Sequence, residues 1–231
     1  GVAGIVLAAV LGKRNGYNRD PMAPSNLALT LIGTGLIWVG WFGFNGGSAL
    51  AANALAGNAL LVTQVAAAAA ALTWFAIEKL VRGKASVLGG ASGAVAGLVG
   101  ITPAAGFVTV AGALAIGIIT SLVCFYAVNY LKRLLKIDDS LDAFGLHGVG
   151  GIVGAILTGV FVSPAITGKP LALSTIGQVW VQLEGVFAVI IYCAIVTFII
   201  AKVIQLTMGL RVTDEDEYTG LDLAVHGERI E

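Results

Sequence analysis

A histidine stands inside a glycine-rich apolar run, DAFGLHGVGGIVG, which extends from Asp142 to Gly154. The surrounding residues are typical of a membrane span, where an ionisable side chain is costly, so His147 is a candidate functional residue. A neutral imidazole can both donate and accept a hydrogen bond. We therefore expect His147 to line a pore, where it would bind a small polar solute or pass a proton. The alternative is a structural histidine that bonds a neighbouring backbone carbonyl.

Aromatic residues cluster near one end of an earlier apolar segment, in the sequence WFGFN that begins at Trp41. Trp38 precedes this cluster by about one helical turn. Such rings commonly form a belt at the membrane–water interface, and position alone favours that interpretation. The alternative is an aromatic gate or a cation vestibule, because the face of an aromatic ring attracts positive charge. Ser48, just beyond the cluster, would add a hydroxyl acceptor.

Three further polar side chains lie in or beside apolar segments. Glu184, with Gln178 and Gln182 on the same helix, is either a pore ligand or a buried hydrogen-bonded strut, and its position favours the strut. Asp142 begins an apolar span and is equally well interpreted as the N-cap of that helix. Ser92 is expected to pack against a neighbour or to bond a backbone group.

Composition sets the class of the protein. Of the 231 residues, 58% are hydrophobic and only 11% are charged, and 32 are glycine. Long uncharged runs with this composition indicate an all-α polytopic membrane protein. Cys124 and Cys193 both lie inside apolar runs, which favours inert buried thiols over a disulfide framework.

No sequence motif indicates catalysis. The chain has no phosphate-binding loop, nucleotide fingerprint, nucleophile elbow or metal-spaced Cys/His cluster, and glycine-rich segments inside spans do not count as phosphate loops. We therefore expect a non-enzyme without catalytic residues, metal or cofactor, and no interaction with nucleic acid.

The apolar runs predict the order of the spans. Residues 1–12 are too short to cross a bilayer, so we expect them to be the end of a helix that begins before Gly1 in a larger protein. A charged tail is expected over residues 207–231. Between these lie six predicted transmembrane helices, at about 27–44, 59–77, 86–101, 107–131, 142–162 and 176–206.

Basic residues follow alternate spans and therefore predict one orientation. By the positive-inside rule the loops that hold them, and the tail, are expected in the cytoplasm of a cell whose inner or plasma membrane the chain crosses. The opposite side has only Lys169. The residues on the basic side are Lys13, Arg14, Arg19, Lys79, Arg82, Lys84, Lys132, Arg133, Lys136, Lys202, Arg211 and Arg229.

Two further patterns concern packing and regulation. Small residues at helical spacing, such as Gly93 and Gly97, predict closely packed helices. The opening GVAGIVLA resembles segments that start at Gly148 and at Gly151, as two equivalent helices of an inverted repeat would. The tail is either a solvated end or a segment that docks on cytoplasmic loops or a regulator, and His226 within it is expected to be exposed.

Several motifs together resemble those of the ammonium transporter (Amt/Mep/Rh) family. They are WFGFN with Ser48, SGAVAGLVGITPAAG from Ser92, DDSLDAFGLHGVGGIVGAILTG from Asp138, VQLEG around Glu184, and GLDLAVHGE in the tail. The resemblance covers the whole chain but only the later half of a family member. It implies a homotrimer of eleven-span subunits, each built from two inverted five-helix halves around a pore, with this chain supplying the second half and a long last helix.

The resemblance also implies roles for individual residues. His147 matches the second of two pore histidines, and the first would lie just before Gly1. Phe44 matches one of two stacked phenylalanines that close the pore entrance. Ser48 matches a hydroxyl of the outer site that recruits ammonium, and Trp41 lies beside that region.

The function implied is ammonium transport: ammonium would be recruited outside, deprotonated, and passed as ammonia through an apolar pore. The tail would dock on cytoplasmic loops and on a P-II-type regulator. One alternative is an ammonium sensor that signals through its tail, and another is a Rh-like gas channel. Without the resemblance, an inverted-repeat secondary transporter for another small solute would remain.

Overall fold

The computed structural model describes residues 1–228, without the side chains of Lys132 and Arg133. Arg229, which the orientation rule counted, and the last two residues of the predicted tail lie outside the described residues. The ten α-helices of the described part are α1 Val2–Leu11, α2 Leu27–Gly47, α3 Ala54–Arg82, α4 Val87–Ile101, α5 Val110–Tyr126, α6 Lys132–Leu135, α7 Val149–Phe161, α8 Pro164–Thr167, α9 Thr175–Thr207 and α10 Asp214–Thr219.

Six helical segments within the described part are long and apolar enough to cross a membrane, which confirms the fold class. Three of them combine an α-helix with a less regular segment, and in two of these the segment follows the helix: a 3₁₀ turn Thr102–Ala104 continues α4, and a π-helical segment Ala127–Leu131 continues α5. A second π-helical segment, Phe144–Gly148, leads into α7 and carries His147. Such segments are often found at functional sites.

Polar caps define where these helices begin. At α3 the cap explains why the helix begins earlier than the sequence predicted. Asn53 accepts a hydrogen bond from the backbone N–H of Ala56 at 3.0 Å, so α3 begins at Ala54 and not at about residue 59. The same helix continues to Arg82, where Gly83 takes the left-handed conformation with φ 79° that commonly ends a helix. Side chains of Asn26, Ser86, Thr109 and Ser174 cap other helices in the same way.

The N-cap interpretation of Asp142 is corrected. Asp139 accepts the backbone N–H groups of Ala143 at 3.0 Å and Phe144 at 2.7 Å, so its carboxylate supplies the acceptors at the start of the segment that carries His147. Asp142 has φ 53°, in the left-handed region, whereas an N-cap residue is normally extended. The span itself begins at Phe144, two residues later than expected.

Glycines bring the central helices into close contact. A Cβ built on Gly97 of α4 would stand 2.6 Å from the Cβ of Ala70 and 2.8 Å from the Cα of Ala67, both on α3. A Cβ on Gly154 of α7 would stand 2.9 Å from the Cα of Gly100 on α4. Helices α3, α4, α5 and α7 thus form the packed centre, as the small-residue spacing predicted.

The outer helices α2 and α9 present apolar side chains to the surroundings. Within the described residues α9 buries only Ala201 along its whole length. Phe187, Ile191 and Tyr192 of α9 are all more than half exposed in this chain. Such surfaces suit contact with lipid or with another membrane-embedded chain.

Contacts between loops agree with the alternation of the basic residues. On one side, here called the basic side, Arg14 pairs with Asp138 at 2.7 Å and the Tyr17 hydroxyl donates to the carbonyl of Ile137. On the opposite side the backbone N–H of Ser163 donates to the carbonyl of Phe107 at 2.9 Å. Asn58 also donates there to the carbonyls of Ala105 and Val108.

We predict that Gly97→Ala destabilises the bundle, because the added methyl group must push α4 away from α3. Overpacking of this kind costs about 1–3 kcal/mol, so the midpoint of thermal unfolding in detergent is expected to fall by several degrees. Gly57→Ala is the matched control, since a Cβ at that helical glycine would meet nothing within 4 Å. Equal midpoints for the two variants would contradict the packing described here.

Candidate functional site

His147 borders an open cavity between α1, α7 and α9. The cavity has a volume of about 450 Å³ and is lined mainly by glycine and aliphatic residues. Gln182 of α9 adds the side-chain amide to this lining. The imidazole is exposed in this chain, so it faces an apolar space in which it can donate or accept a hydrogen bond.

The start of α1 lies directly against the histidine segment. A Cβ on Gly1 would overlap the backbone of Gly148 and would stand 2.9 Å from the carbonyl carbon of His147. The two segments whose sequences echo one another therefore cross beside His147. Only glycine allows such a close approach of two backbones.

Trp41 connects the histidine with the aromatic cluster of α2. Its indole ring is nearly parallel to the His147 imidazole, with the ring centres 6.4 Å apart and the planes at 25°. It also meets the ring of Phe44 edge-on, with the centres 5.8 Å apart. The indole N–H donates to the Thr102 hydroxyl at 2.7 Å. The structure thus brings together three predicted site residues and adds Thr102.

Phe44 and Ser48 are both exposed in this chain. The Phe44 side chain is 61% exposed in this chain. The Ser48 hydroxyl donates to the Phe44 carbonyl at 2.7 Å. Since that bond uses the hydroxyl hydrogen, the oxygen of Ser48 keeps lone pairs that can accept a hydrogen bond from a small cation.

Two polar side chains of this region had no predicted role. Asn45 is buried and donates through Nδ2 to the Thr63 hydroxyl at 2.9 Å, and Thr63 donates in turn to the carbonyl of Ala59. The second such residue is Thr102, whose hydroxyl accepts the hydrogen bond from the Trp41 indole. The sequence signal that could have identified both residues is a polar side chain within or beside an apolar run, where polar groups need a hydrogen-bond partner.

Glu184 lies outside this arrangement. Its side chain is exposed on α9, whereas Gln182 and Gly185 line the cavity beside His147. The described residues therefore do not enclose Glu184 as a buried strut.

Ser92 and Asp142 border a different, polar cavity of about 220 Å³ on the basic side. Its buried charge is Glu78, which is 2% exposed. Glu78 accepts from Arg82 at 2.9 Å and from the backbone N–H of Ser86 at 2.7 Å. This pairing explains how a carboxylate is buried at the end of α3, a role that the sequence analysis did not assign.

The tail docks on the first loop of the chain, which is one of the two interpretations left open above. Glu217 accepts from the backbone N–H of Asn15 and from Arg211, each at 2.7 Å. Arg211 also donates to the carbonyl of Leu11. The hydrogen bond from Asn15 and then the contact with Arg211 hold the pKa of Glu217 below its ordinary value. On the same loop, the hydrogen bond with Asp138 raises the pKa of Arg14.

The site can therefore offer aromatic faces, hydroxyl oxygens and one imidazole to a small solute. Among residues 1–228, His, Cys, Asp and Glu side chains form no group of three or more with the spacing of a metal site. The chemistry on offer is hydrogen bonding, cation–π attraction and proton exchange at the imidazole.

Comparison with known proteins gives one consistent result. A sequence model of a protein family, described as the Ammonium Transporter Family, matches residues 1–230. An ammonium transporter of Aquifex aeolicus is 48% identical over 230 residues, which are 99% of this chain and 53% of that protein. An ammonium transporter of Bacillus subtilis is 47% identical over 232 residues, 99% of this chain and 57% of that protein. The chain thus spans about half the length of the curated relatives it matches.

Solved structures agree with the sequence relatives. Mep2 of Saccharomyces cerevisiae superimposes with a TM-score of 0.84 at 38% identity, covering 92% of this chain and 50% of that one. A structure described as a sensor Amt protein gives a TM-score of 0.85 at 29% identity, covering 97% of this chain and 56% of that one. Both likenesses extend over nearly all of the described fold.

We predict that the tail is released as the pH falls into the acidic range. Because the pKa of Glu217 is lowered in the docked state, its contribution to docking is complete above the ordinary glutamate value and is lost as the pH falls through the lowered pKa. The protection of backbone amides from hydrogen exchange over residues 12–17 and 213–219, corrected for the pH dependence of the intrinsic exchange rate, is therefore expected to fall in both segments together at low pH. Glu217→Gln is expected to lower this protection at neutral pH as well. Glu215→Gln, which changes an exposed neighbour, is the control, and an equal loss of protection in both variants would contradict the role of Glu217.

Proposed function

Because this chain belongs to the ammonium transporter family, we propose that it forms the half of a transporter subunit that carries ammonia past His147. The observation that most supports this proposal is the contact of Trp41 with both His147 and Phe44 beside an apolar cavity. The group joins a cation-attracting aromatic cluster to a residue that exchanges protons, and it lies in a membrane-spanning bundle.

The energetics of charge favour passage of the neutral molecule. Moving a bare cation into an apolar passage costs several kcal/mol or more. Ammonia carries no charge and avoids most of that cost. A mainly apolar lining that includes an imidazole therefore suits a route in which ammonium loses its proton before it enters.

Each residue has a place in this route. Trp41 and Ser48 would hold ammonium at the outer end, through a ring face and a hydroxyl oxygen. The ring of Phe44 would close the entrance to hydrated ions. His147 would then offer a hydrogen bond to ammonia and part of a separate route along which the released proton crosses, so that each ammonium carried moves one charge.

The assembly and orientation follow from the same proposal. The basic side would face the cytoplasm of a cell whose inner or plasma membrane holds the protein, which places the docked tail inside the cell. The exposed apolar faces of α2 and α9 would contact lipid, the other half of the subunit or neighbouring subunits of a homotrimer. The docked tail would be available to a P-II-type regulator.

A second candidate function is ammonium sensing. It is supported by the likeness to the sensor Amt structure and by the tail, which is tied to the first loop through Glu217. A sensor would bind ammonium at the same aromatic group and report this binding by releasing or tightening the tail. It would carry little or no ammonium current.

We predict that His147→Ala abolishes the current evoked by an ammonium pulse, or changes its ion selectivity. The current is measured on a solid-supported membrane with proteoliposomes of the complete transporter. Loss of the imidazole removes the hydrogen bond and the proton position, so the current is expected to fall by roughly tenfold or more.

The matched control is His226→Ala, because His226 is exposed in the tail and lies far along the chain from the aromatic group. It is expected to leave the current unchanged. An unchanged current in His147→Ala would make His147 a structural residue. If even the unsubstituted protein gave no current, while ammonium altered hydrogen exchange of the tail, the sensor function would replace the transporter function.

A further inference from the structure

Thr102 occupies a break between two kinds of helix. It follows the last residue of α4 and opens the 3₁₀ turn Thr102–Ala104, in which Pro103 has no backbone N–H. Its hydroxyl donates to the carbonyl of Leu98, four residues earlier, at 2.8 Å. This bond within the same helical segment fixes the orientation of the Thr102 side chain independently of any other helix.

The same hydroxyl oxygen accepts the indole N–H of Trp41 at 2.7 Å. The direction of the bond is fixed from both ends. The Thr102 hydrogen is already given to Leu98, and an indole nitrogen can only donate. Thr102 is therefore a fixed acceptor that anchors one edge of the Trp41 ring to α4.

Such an anchor is not general for tryptophans of this helix. Trp38, one turn earlier on α2, has a buried indole nitrogen for which residues 1–228 provide no hydrogen-bond partner. The bond to Thr102 is thus specific to the indole that contacts His147 and Phe44.

We propose that Thr102 is a positioning residue for ammonium selectivity and acts through Trp41. The proposal rests on the proposed function, since it assigns to Thr102 the orientation of the Trp41 ring between His147 and Phe44. With its N–H held by Thr102, the indole keeps one face toward the His147 imidazole and an edge contact with Phe44. Without that acceptor the indole is free to turn about its two side-chain torsions, and both ring contacts change.

The test is a double-mutant cycle in proteoliposomes of the complete transporter. Thr102→Val keeps the branched shape and removes the acceptor, and Trp41→Phe removes the donor and keeps an aromatic ring. We expect Thr102→Val to lower the ammonium current roughly three- to tenfold, the range that corresponds to one lost hydrogen bond. We also expect it to raise the current of methylammonium relative to ammonium.

The result that identifies positioning is non-additivity. In a Trp41→Phe background, Thr102→Val is expected to have no further effect, because the bond it removes is already absent. Thr102→Ser restores the acceptor and is expected to keep the original selectivity. A fluorotryptophan at position 41 should show a shifted fluorine resonance in Thr102→Val but not in Thr102→Ser.

Thr120→Val is the matched control. The Thr120 hydroxyl is buried in α5 without a hydrogen-bond partner among the described residues, so the same substitution there removes no bond. It is expected to leave current and selectivity unchanged. If Thr102→Val is not recovered as folded protein, Thr102→Ala takes its place. It removes the hydroxyl without adding a methyl group, and the same effects on current and selectivity are expected.

Two results would overturn the proposal. One is an unchanged current and selectivity in Thr102→Val. The other is an equal effect of Thr102→Val with and without Trp41, which would mean that Thr102 acts independently of the indole. The proposed function fails separately, through the absence of an ammonium current in the unsubstituted protein.

Discussion

The apolar surroundings of the spans penalise every polar group that lacks a partner, and the arrangement of the site follows from that constraint. Asn45 pairs with Thr63, and Thr63 with a carbonyl of its own helix. Trp41 pairs with Thr102. Under the proposed function the same penalty would act on the solute, because a bare cation would have no such partners in an apolar passage, whereas ammonia would need only an occasional hydrogen bond.

Close packing of backbones gives the site its geometry. Helix α7 approaches α4 where Gly154 meets Gly100, two residues before Thr102. This contact brings α7, into which the segment with His147 leads, close to the turn that holds Trp41. At the other end of the segment, Asp139 fixes the first amide groups before His147. Histidine and indole are therefore positioned by two independent local structures that meet at one ring contact.

The sequence predicted the six spans and the alternation of basic loops, and it singled out His147, because apolar length and a charged or polar residue within an apolar run are local signals. The role of His147 stays a prediction. The contact of Trp41 with His147 joins residues more than a hundred positions apart, and no periodicity encodes it. The cap at Asp139 was missed because two further acidic residues within four positions offer equivalent carboxylates. The strut expected at Glu184 depended on which face of α9 points inward, and a helix that is apolar on all sides gives no such information.

The central claim is that the transported species crosses the apolar passage as a neutral molecule. It is tested most directly by comparing ammonium and potassium pulses on proteoliposomes of the unsubstituted protein. The two ions carry the same charge and have similar sizes, but potassium has no proton to lose. Because ammonia crosses neutral while its proton crosses by a separate route, the account predicts a current with ammonium and none with potassium above that of protein-free vesicles. Equal currents with the two ions would contradict it, because they would show that a whole cation passes the aromatic group and His147.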